Sequence, residues 1–359
     1  MPNFEPKFQI GDKSIGGKSP AYFIADIAAN HDGDLERAKT LIYLCAEAGA
    51  DAAKFQHFTA DTIVSDRGFR ALSGGQSHQS SWKKPVFEVY KDASVSLDWT
   101  QSLKETCDKA GVAFFTSPYS MALVEHIDPF VPAYKIGSGD ITWTAMVEYI
   151  ARKGKPYILA SGASTLDEVH RAVTAGARIN PQLCLMQCNT NYTASLENFH
   201  HIQLRVLNTY RSMYPDLVLG LSDHTPGHAT VLGAVALGAS MVEKHFTDDT
   251  TRVGPDHKFS MDPSSWKAMV RASRELENAL GNGVKVVEDN EAQTVVVQRR
   301  AIRTKTALPA GGMLLESQLE VLRPCPPDAI APYQLAEVVG RTLRRNIPAG
   351  EHLRWTDFE

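Results

Sequence analysis

Short apolar runs rich in β-branched and aromatic residues alternate along this chain with stretches of helical period. Eight of the runs read as strands, over residues 22–28, 52–56, 112–116, 133–136, 157–161, 183–187, 218–222 and 241–245. Between them lie patterns such as LERAKTLIYLCAEAGA and TLDEVHRAVTAG. Several close on glycine, which accepts the left-handed conformation that follows a helix. The runs lack the strict alternation of a half-solvated strand, so they predict parallel strands covered on both faces. Strands alternating with helices imply crossover connections. Eight units over about 260 residues match the size and count of an α/β (β/α)8 TIM barrel. An open doubly wound sheet would compete, but no glycine-rich dinucleotide fingerprint follows the first run.

Two segments break the rhythm. Residues 57–97 form a long connection after the second strand, polar and rich in Gly and Ser at its centre (SGGQSHQSS). Leaving the C-terminal face of a barrel at this length, it is read as a lid or pocket wall. The barrel pattern then ends near residue 282, and a polar linker over 283–294 leads into a tail over 295–359. The tail holds two similar phrases, RTKTALPAGGMLLESQLE and RTLRRNIPAGEHLRWTDFE, each turning on Pro-Ala-Gly. The expected organisation is a barrel over 1–282 and a small separate module over 295–359.

Composition narrows the function class. The 359 residues carry 37 basic and 41 acidic side chains, a formal charge of −4, with no basic run. That excludes a surface built to neutralise nucleic acid. No apolar stretch reaches the length of a membrane span, and the opening MPNFEPKFQIGDK lacks a secretory pattern. Five cysteines, an odd number in a long chain, read as reduced thiols. A cytoplasmic enzyme with no nucleic-acid or membrane partner is the expectation.

In such a barrel, chemistry belongs to the C-terminal ends of the strands. Those ends carry Asp26 with Asn30 and His31, Lys54 with Gln56, Ser117, Lys135 with Ser138 and Asp140, Ser161, Thr190 with Tyr192, Ser222 with His224, and Glu243 with His245. Lysines and hydroxyls together make a cradle for phosphate and carboxylate. His224 and His245 end neighbouring strands, where two neutral imidazoles can share a divalent ion. His31 and His257 are expected near the mouth, and Cys188 reads as a structural thiol.

These phrases carry a resemblance. ADIAANHDGDLERA, GADAAKFQ, FFTSPYS, PAYKIGSGD, YILASGAS, GLSDHT, ALGASMVEKHFTDD and GPDHKFSMDP occur in the order of the sialic acid synthase (nonulosonate synthase) family. The tail resembles the antifreeze-like (SAF) domain that closes these synthases. The resemblance implies condensation of phosphoenolpyruvate with an N-acylated amino-sugar aldehyde, in a domain-swapped homodimer. It implies a metal on His224 and His245, manganese in the first place, with magnesium or cobalt as substitutes. Phosphoenolpyruvate would be held by Lys54, Ser117, Lys135, Ser138, Thr190 and Ser222, and the sugar by Gln56, Tyr192, Glu243 and Asp256. Arg323 stands where an arginine from the partner's tail would reach the site. The chain departs from the family at Asp26 and Asp140, each where glutamate is common. It also departs at the fifth strand, where Ala160 precedes Ser161 and either position could face phosphate.

In the implied reaction the enol carbon attacks the aldehyde. Water, steered by Asp26 or Glu243, then adds at C2, and phosphate leaves. Three other readings stay open: a Schiff-base aldolase using Lys54 or Lys135, a synthase for a phosphorylated sugar, and a non-catalytic binder working through its tail.

Overall fold

The computed structural model describes residues 4–72, 79 and 82–359. The chain divides into two compact units, up to Gly281 and from Asn282 onward.

The first unit opens with a hairpin, β1 (Lys7–Ile10) and β2 (Lys13–Gly16), paired antiparallel. Eight parallel strands follow: β3 (Tyr22–Asp26), β4 (Ala52–His57), β5 (Ala113–Pro118), β6 (Tyr134–Ile136), β7 (Tyr157–Ala160), β8 (Leu183–Cys188), β9 (Val218–Asp223) and β10 (Met241–His245). Their order across the sheet is β5-β4-β3-β10-β9-β8-β7-β6. The outer strands β5 and β6 come side by side, so the sheet is a nearly closed TIM-like barrel. All eight predicted strands are present, with ends shifted by a residue or two.

Helices α1 (Leu35–Glu47), α2 (Ala60–Ile63), α3 (Asp66–Ala71), α4 (Val86–Ala93), α5 (Thr100–Ala110), α6 (Met121–Ile127), α7 (Thr144–Ala151), α8 (Leu166–Ala177), α9 (Val206–Met213), α10 (Ala229–Ala236) and α11 (Pro263–Leu280) occur between and after the strands. Local chemistry sets their ends. Thr165 caps α8 in a reciprocal box with Glu168, whose carboxylate accepts the Thr165 N–H at 2.7 Å. Gly111 ends α5 at φ 75°, a conformation a β-carbon would resist.

The barrel has two apolar zones. Helix faces pack on the outside of the strands, with Leu41, Leu103, Val147, Val173 and Trp266 among the buried residues. Inside, Tyr22, Ile24, Phe115, Ile158, Met186 and Met241 fill the lower barrel, and the hairpin closes it with Phe8, Ile10 and Ile15. The sequence reading passed over this hairpin, although the alternating Phe8 and Ile10 and the two-residue Gly11-Asp12 connection signal it. With its lower end plugged by carbon, the barrel presents polar groups at the other end.

Within the second unit, α12 (Ala292–Gln298) and α13 (Leu335–Val338) accompany the paired strands β11 (Ala301–Thr304) and β12 (Leu319–Leu322). Its core holds Ile302, Leu314, Ile330, Val338, Leu343 and Leu353. The two Pro-Ala-Gly phrases meet: Leu308 and Ile347 exchange both backbone hydrogen bonds at 2.8 and 2.9 Å. Gly311 donates to the Leu343 carbonyl and Gly350 to the Thr304 carbonyl, each at 2.7 Å. Both glycines have positive φ, 77° and 79°. The repeat seen in sequence is thus a two-fold pattern of hydrogen bonds. No helix among the described residues is long and apolar enough to cross a membrane.

Candidate active site

Strand parity places the site. In β10, Glu243 and His245 point into the barrel mouth while Lys244 points outward, and in β9 Ser222 points in while Asp223 points out. The inward groups meet Asp26 of β3, Lys54 and Gln56 of β4, Ser117 of β5 and Lys135 of β6 around one cavity of about 1310 Å³ including its open mouth. Loop residues Ser138, Asp140, Tyr192, His224 and Asp256 complete the sequence-predicted part of its lining.

A buried charge network forms the floor. Lys135 Nζ lies 3.0 Å from Glu243 Oε1, and the Ser222 hydroxyl donates to the same oxygen at 3.2 Å. The Lys54 ammonium bonds Asp26 Oδ2 and lies 3.8 Å from Glu243 Oε2. Gln56 donates to Asp26 Oδ2 at 3.2 Å, and the Ala28 N–H bonds Oδ1 at 3.1 Å. Glu243 Oε2 is buried with no hydrogen-bond partner, which leaves it to accept from a bound molecule.

Burial alone would raise the Glu243 carboxyl, but Lys135 and Lys54 overcome it and hold the group at about 2. Burial works the other way for Asp26, raising it against the pull of Lys54. Burial opposes the charge on Lys54, yet Asp26 and Glu243 raise it above the ordinary lysine range. Asp140, buried without a compensating cation, is pushed up to about 6. Burial pushes Asp256 up to about 7 even though the Ala29 N–H bonds its carboxylate at 3.1 Å.

His224 and His245 lie side by side with ring centroids 5.2 Å apart, boxed by Tyr192 at 4.4 Å from His224 and Phe259 at 4.8 Å from His245. Burial lowers both to about 3, so both are neutral imidazoles at physiological pH. His224 Nδ1 donates to the Asn189 carbonyl at 3.0 Å, which makes Nε2 the lone-pair nitrogen. His245 Nδ1 is buried without a partner, and its Nε2 lies 3.7 Å from Asp26 Oδ2. Two adjacent neutral imidazoles with uncommitted nitrogens suit a borderline divalent ion. Among the described residues, no group of three or more His, Cys, Asp or Glu side chains could hold a metal ion, so water and substrate oxygens would supply the remaining positions.

Two sequence-predicted residues of the barrel lie outside the lining. Ser161 turns away from the cavity: its hydroxyl donates to the Met186 carbonyl at 2.9 Å and accepts from Tyr210 at 2.9 Å, while Ala160 faces the mouth. The strand ends at Ala160, and parity gives that residue the inward face. Thr190 is half-buried outside the lining; its methyl lies over Gly162, where a β-carbon would fall 2.5 Å away. Gly162 is needed there, and its N–H donates to the Ser138 hydroxyl at 2.9 Å. Arg323 belongs to the second unit, where it is exposed.

The long connection contributes a wall. Phe58, Ile63, Gln79, Trp82, Val89, Tyr90 and Ala93 line the cavity, which agrees with the reading of a pocket wall, although most of SGGQSHQSS lies outside the described residues. Tyr119, two positions after Ser117, also lines it and was missed. His31 and His257 stand behind the mouth. The His31 ring faces Trp99 at 5.7 Å, and His257 bridges Thr247 and Asp32 at 2.8 and 2.9 Å, which ties down the loop bearing Asp256. Cys188 lines the cavity with its thiol raised by burial, so it is no thiolate nucleophile.

A TIM-like barrel with this many buried charged groups at its strand ends is arranged as the active site of an enzyme. Comparison with known proteins makes the class specific: the chain belongs to the NeuB family, whose model matches residues 41–285, and a SAF domain matches residues 299–359. Among relatives, N,N'-diacetyllegionaminic acid synthase of Legionella pneumophila is 34% identical over 97% of this chain and 98% of its own length. N-acetylneuraminate-9-phosphate synthase of Homo sapiens is 32% identical over 92% of this chain and 90% of its own. The crystal structure of N-acetylneuraminic acid (sialic acid) synthetase from Leptospira borgpetersenii has a TM-score of 0.71 at 27% identity, covering 82% of this chain and 96% of that one.

Proposed function

We propose that the protein condenses phosphoenolpyruvate with an N-acylated amino-sugar aldehyde and water, giving a nine-carbon nonulosonic acid and inorganic phosphate. The observation that carries this reading is the floor of the cavity: Lys54 and Lys135 buried side by side against Glu243, with Ser222, Ser117 and Ser138 around them. Fixed ammonium groups and hydroxyls of this kind bind a small phosphate and carboxylate without reorganising.

A new C–C bond forms from the enol carbon to the aldehyde carbon, and positive charge develops at C2. Water adds at C2; its second proton leaves with the phosphate as the C2–O bond to phosphate breaks and C2 becomes a ketone, and its first, lost on addition, ends on the former aldehyde oxygen. Asp26, whose affinity for a proton is raised by burial, takes the proton lost on addition, with Lys54 and Gln56 fixing its orientation. Glu243 stays ionised, and its uncommitted Oε2 accepts a hydrogen bond from a substrate hydroxyl or water. Lys54 and Lys135 stay with the phosphate as it departs. Tyr192, Asp140 and Asp256 orient the sugar at the mouth, and the alignment of two substrates supplies the proximity term. His224 and His245 would hold a divalent ion, manganese by preference, which supplies Lewis-acid polarisation of the aldehyde oxygen.

The Schiff-base alternative needs an uncharged lysine, and Lys54 is held in the opposite direction by its carboxylates while Lys135 is bonded to Glu243. Phosphate release from phosphoenolpyruvate and an amino-sugar acceptor tests the proposal, with chelation and Mn²⁺ restoration as the second arm. Loss on chelation and in His224→Ala is expected. Activity that survives both sinks the metal role, and borohydride trapping of a pyruvate adduct would favour the aldolase.

A further inference from the structure

Resting on that reading of the site, we infer that Tyr119 is a further substrate-binding residue. Its hydroxyl donates to a hydroxyl of the sugar acceptor that in turn donates to Asp140, and Gly137 is the seat that aims it.

Tyr119 is the first residue beyond β5, and its N–H bonds the His57 carbonyl at 3.1 Å, which carries the β4–β5 pairing one residue past the strand. That bond fixes the backbone, and two contacts fix the ring. It stands edge-on to Phe58, with centroids 5.8 Å apart and the planes at 82°. Its far end rests on Gly137. A β-carbon there would fall 3.2 Å from the Tyr119 hydroxyl oxygen and 3.7 and 3.8 Å from the nearest ring carbons. Gly137 has φ −68°, which any residue adopts. What its missing side chain supplies is room for the hydroxyl.

Tyr119 and Gly137 both line the cavity, and the Tyr119 hydroxyl has no hydrogen-bond partner among the described residues. Other polar groups of the lining are engaged: Gln56 donates to Asp26, Ser138 accepts the Gly162 N–H, and the Tyr90 hydroxyl meets the Gln79 side chain. Burial and then the Asp140 charge raise the Tyr119 hydroxyl, so it keeps its proton and can donate. The Asp140 carboxylate likewise bonds no described residue, and burial alone pushes it up to about 6.

An open donor and an open acceptor thus stand at the neighbouring ends of β5 and β6. Phosphoenolpyruvate presents phosphate and carboxylate, which the Asp140 charge repels and which the reading above gives to Lys54 and Lys135. The group that meets Tyr119 and Asp140 therefore belongs to the uncharged substrate. A trans amide holds its N–H and carbonyl on opposite edges of a plane, so one amide cannot meet both groups from one side. A hydroxyl accepts and donates at a single oxygen, and it completes the chain from Tyr119 to Asp140.

The test follows phosphate release by the purified full-length chain at about pH 8, where Asp140 is ionised. The substrates are phosphoenolpyruvate with Mn²⁺ and either N-acetylmannosamine or a 2,4-diacetamido-2,4,6-trideoxyhexose. Tyr119→Phe keeps the ring contacts and removes one oxygen. It is expected to raise the acceptor KM about three- to tenfold, with the KM for phosphoenolpyruvate within about twofold and the melting temperature unchanged. Gly137→Ala crowds the hydroxyl. It is expected to raise the acceptor KM about twofold or more in the starting protein and to have no effect in Tyr119→Phe. An acceptor KM unchanged in folded Tyr119→Phe, or a rise confined to phosphoenolpyruvate, overturns this inference and leaves the synthase reading intact. Equal effects of Gly137→Ala in both backgrounds remove the seat from the account. No release from the starting protein with either sugar overturns the synthase reading itself.

Discussion

Buried lysine–carboxylate pairs lie on both faces of β10, one through Lys244 and the other through its neighbour Glu243. The outward pair is Lys244 and Asp223, 2.5 Å apart. Thr225 and Thr230 also bond the Asp223 carboxylate, and the Thr225 carbonyl takes another Lys244 hydrogen at 2.6 Å. Every strong group in it is spent within the protein. The inward set, Lys135 with Ser222 and Glu243, holds comparable charge but leaves Glu243 Oε2 open and faces a cavity. Burying an ion pair seldom adds stability over a well-packed apolar substitute. The outward pair is therefore a structural clamp between the β9–α10 loop and β10, while the inward one keeps charge in readiness for a ligand.

Substitutions separate the two. Lys135→Met is expected to cut phosphate release about 100- to 1,000-fold, as removal of a fixed electrostatic partner does, while the folded chain keeps its melting cooperativity. Lys244→Met is expected to do the reverse: denaturant titration should show a loss of about 3–5 kcal/mol from the uncompensated Asp223, with kcat of the folded fraction close to the starting value. Should Lys244→Met abolish turnover at full stability, the distinction between the faces fails.

A third experiment turns on Asp256, whose carboxyl keeps its proton up to about 7 in the folded chain. Between about pH 4 and 7 the unfolded chain has lost that proton and the folded one retains it, so this group makes stability fall as pH rises. The melting temperature of Asp256→Asn, relative to the starting protein, should therefore improve steadily across that window, and a flat difference would refute the assignment. The smallest effect belongs to Ser161→Ala, which loses the Tyr210 bond outside the cavity: about 1 kcal/mol of stability, with phosphate release unchanged.

Much of this was legible in the sequence because barrel strands announce themselves as apolar runs and the residues just past them are placed by topology. Lys54, Lys135, Glu243 and both histidines were found that way. Ser161 was misplaced because a one-residue uncertainty in the end of β7 reverses which side chain faces the mouth, and Ala160 gave no polar signal. Thr190 failed for a related reason: its loop position does not say which way the hydroxyl turns. The residues of the wall were out of reach, since Ile63 and Val89 sit in short helices, and Trp82 in the irregular chain before the second of them, whose orientation depends on packing across the mouth. The hairpin under the barrel was readable and was overlooked.

The crossed Pro-Ala-Gly turns of the second unit have a consequence of their own. Leu308 and Ile347 satisfy each other, and each glycine finds its acceptor in the opposite copy. These bonds of each turn are closed by the other copy, so the unit behaves as a symmetric pair whose two members share one backbone. Tethering replaces a bimolecular encounter with an intramolecular one, at an effective concentration set by the intervening chain. The pairing is thereby independent of how much protein is present, and a break in the chain between the copies would hand it back to dilution.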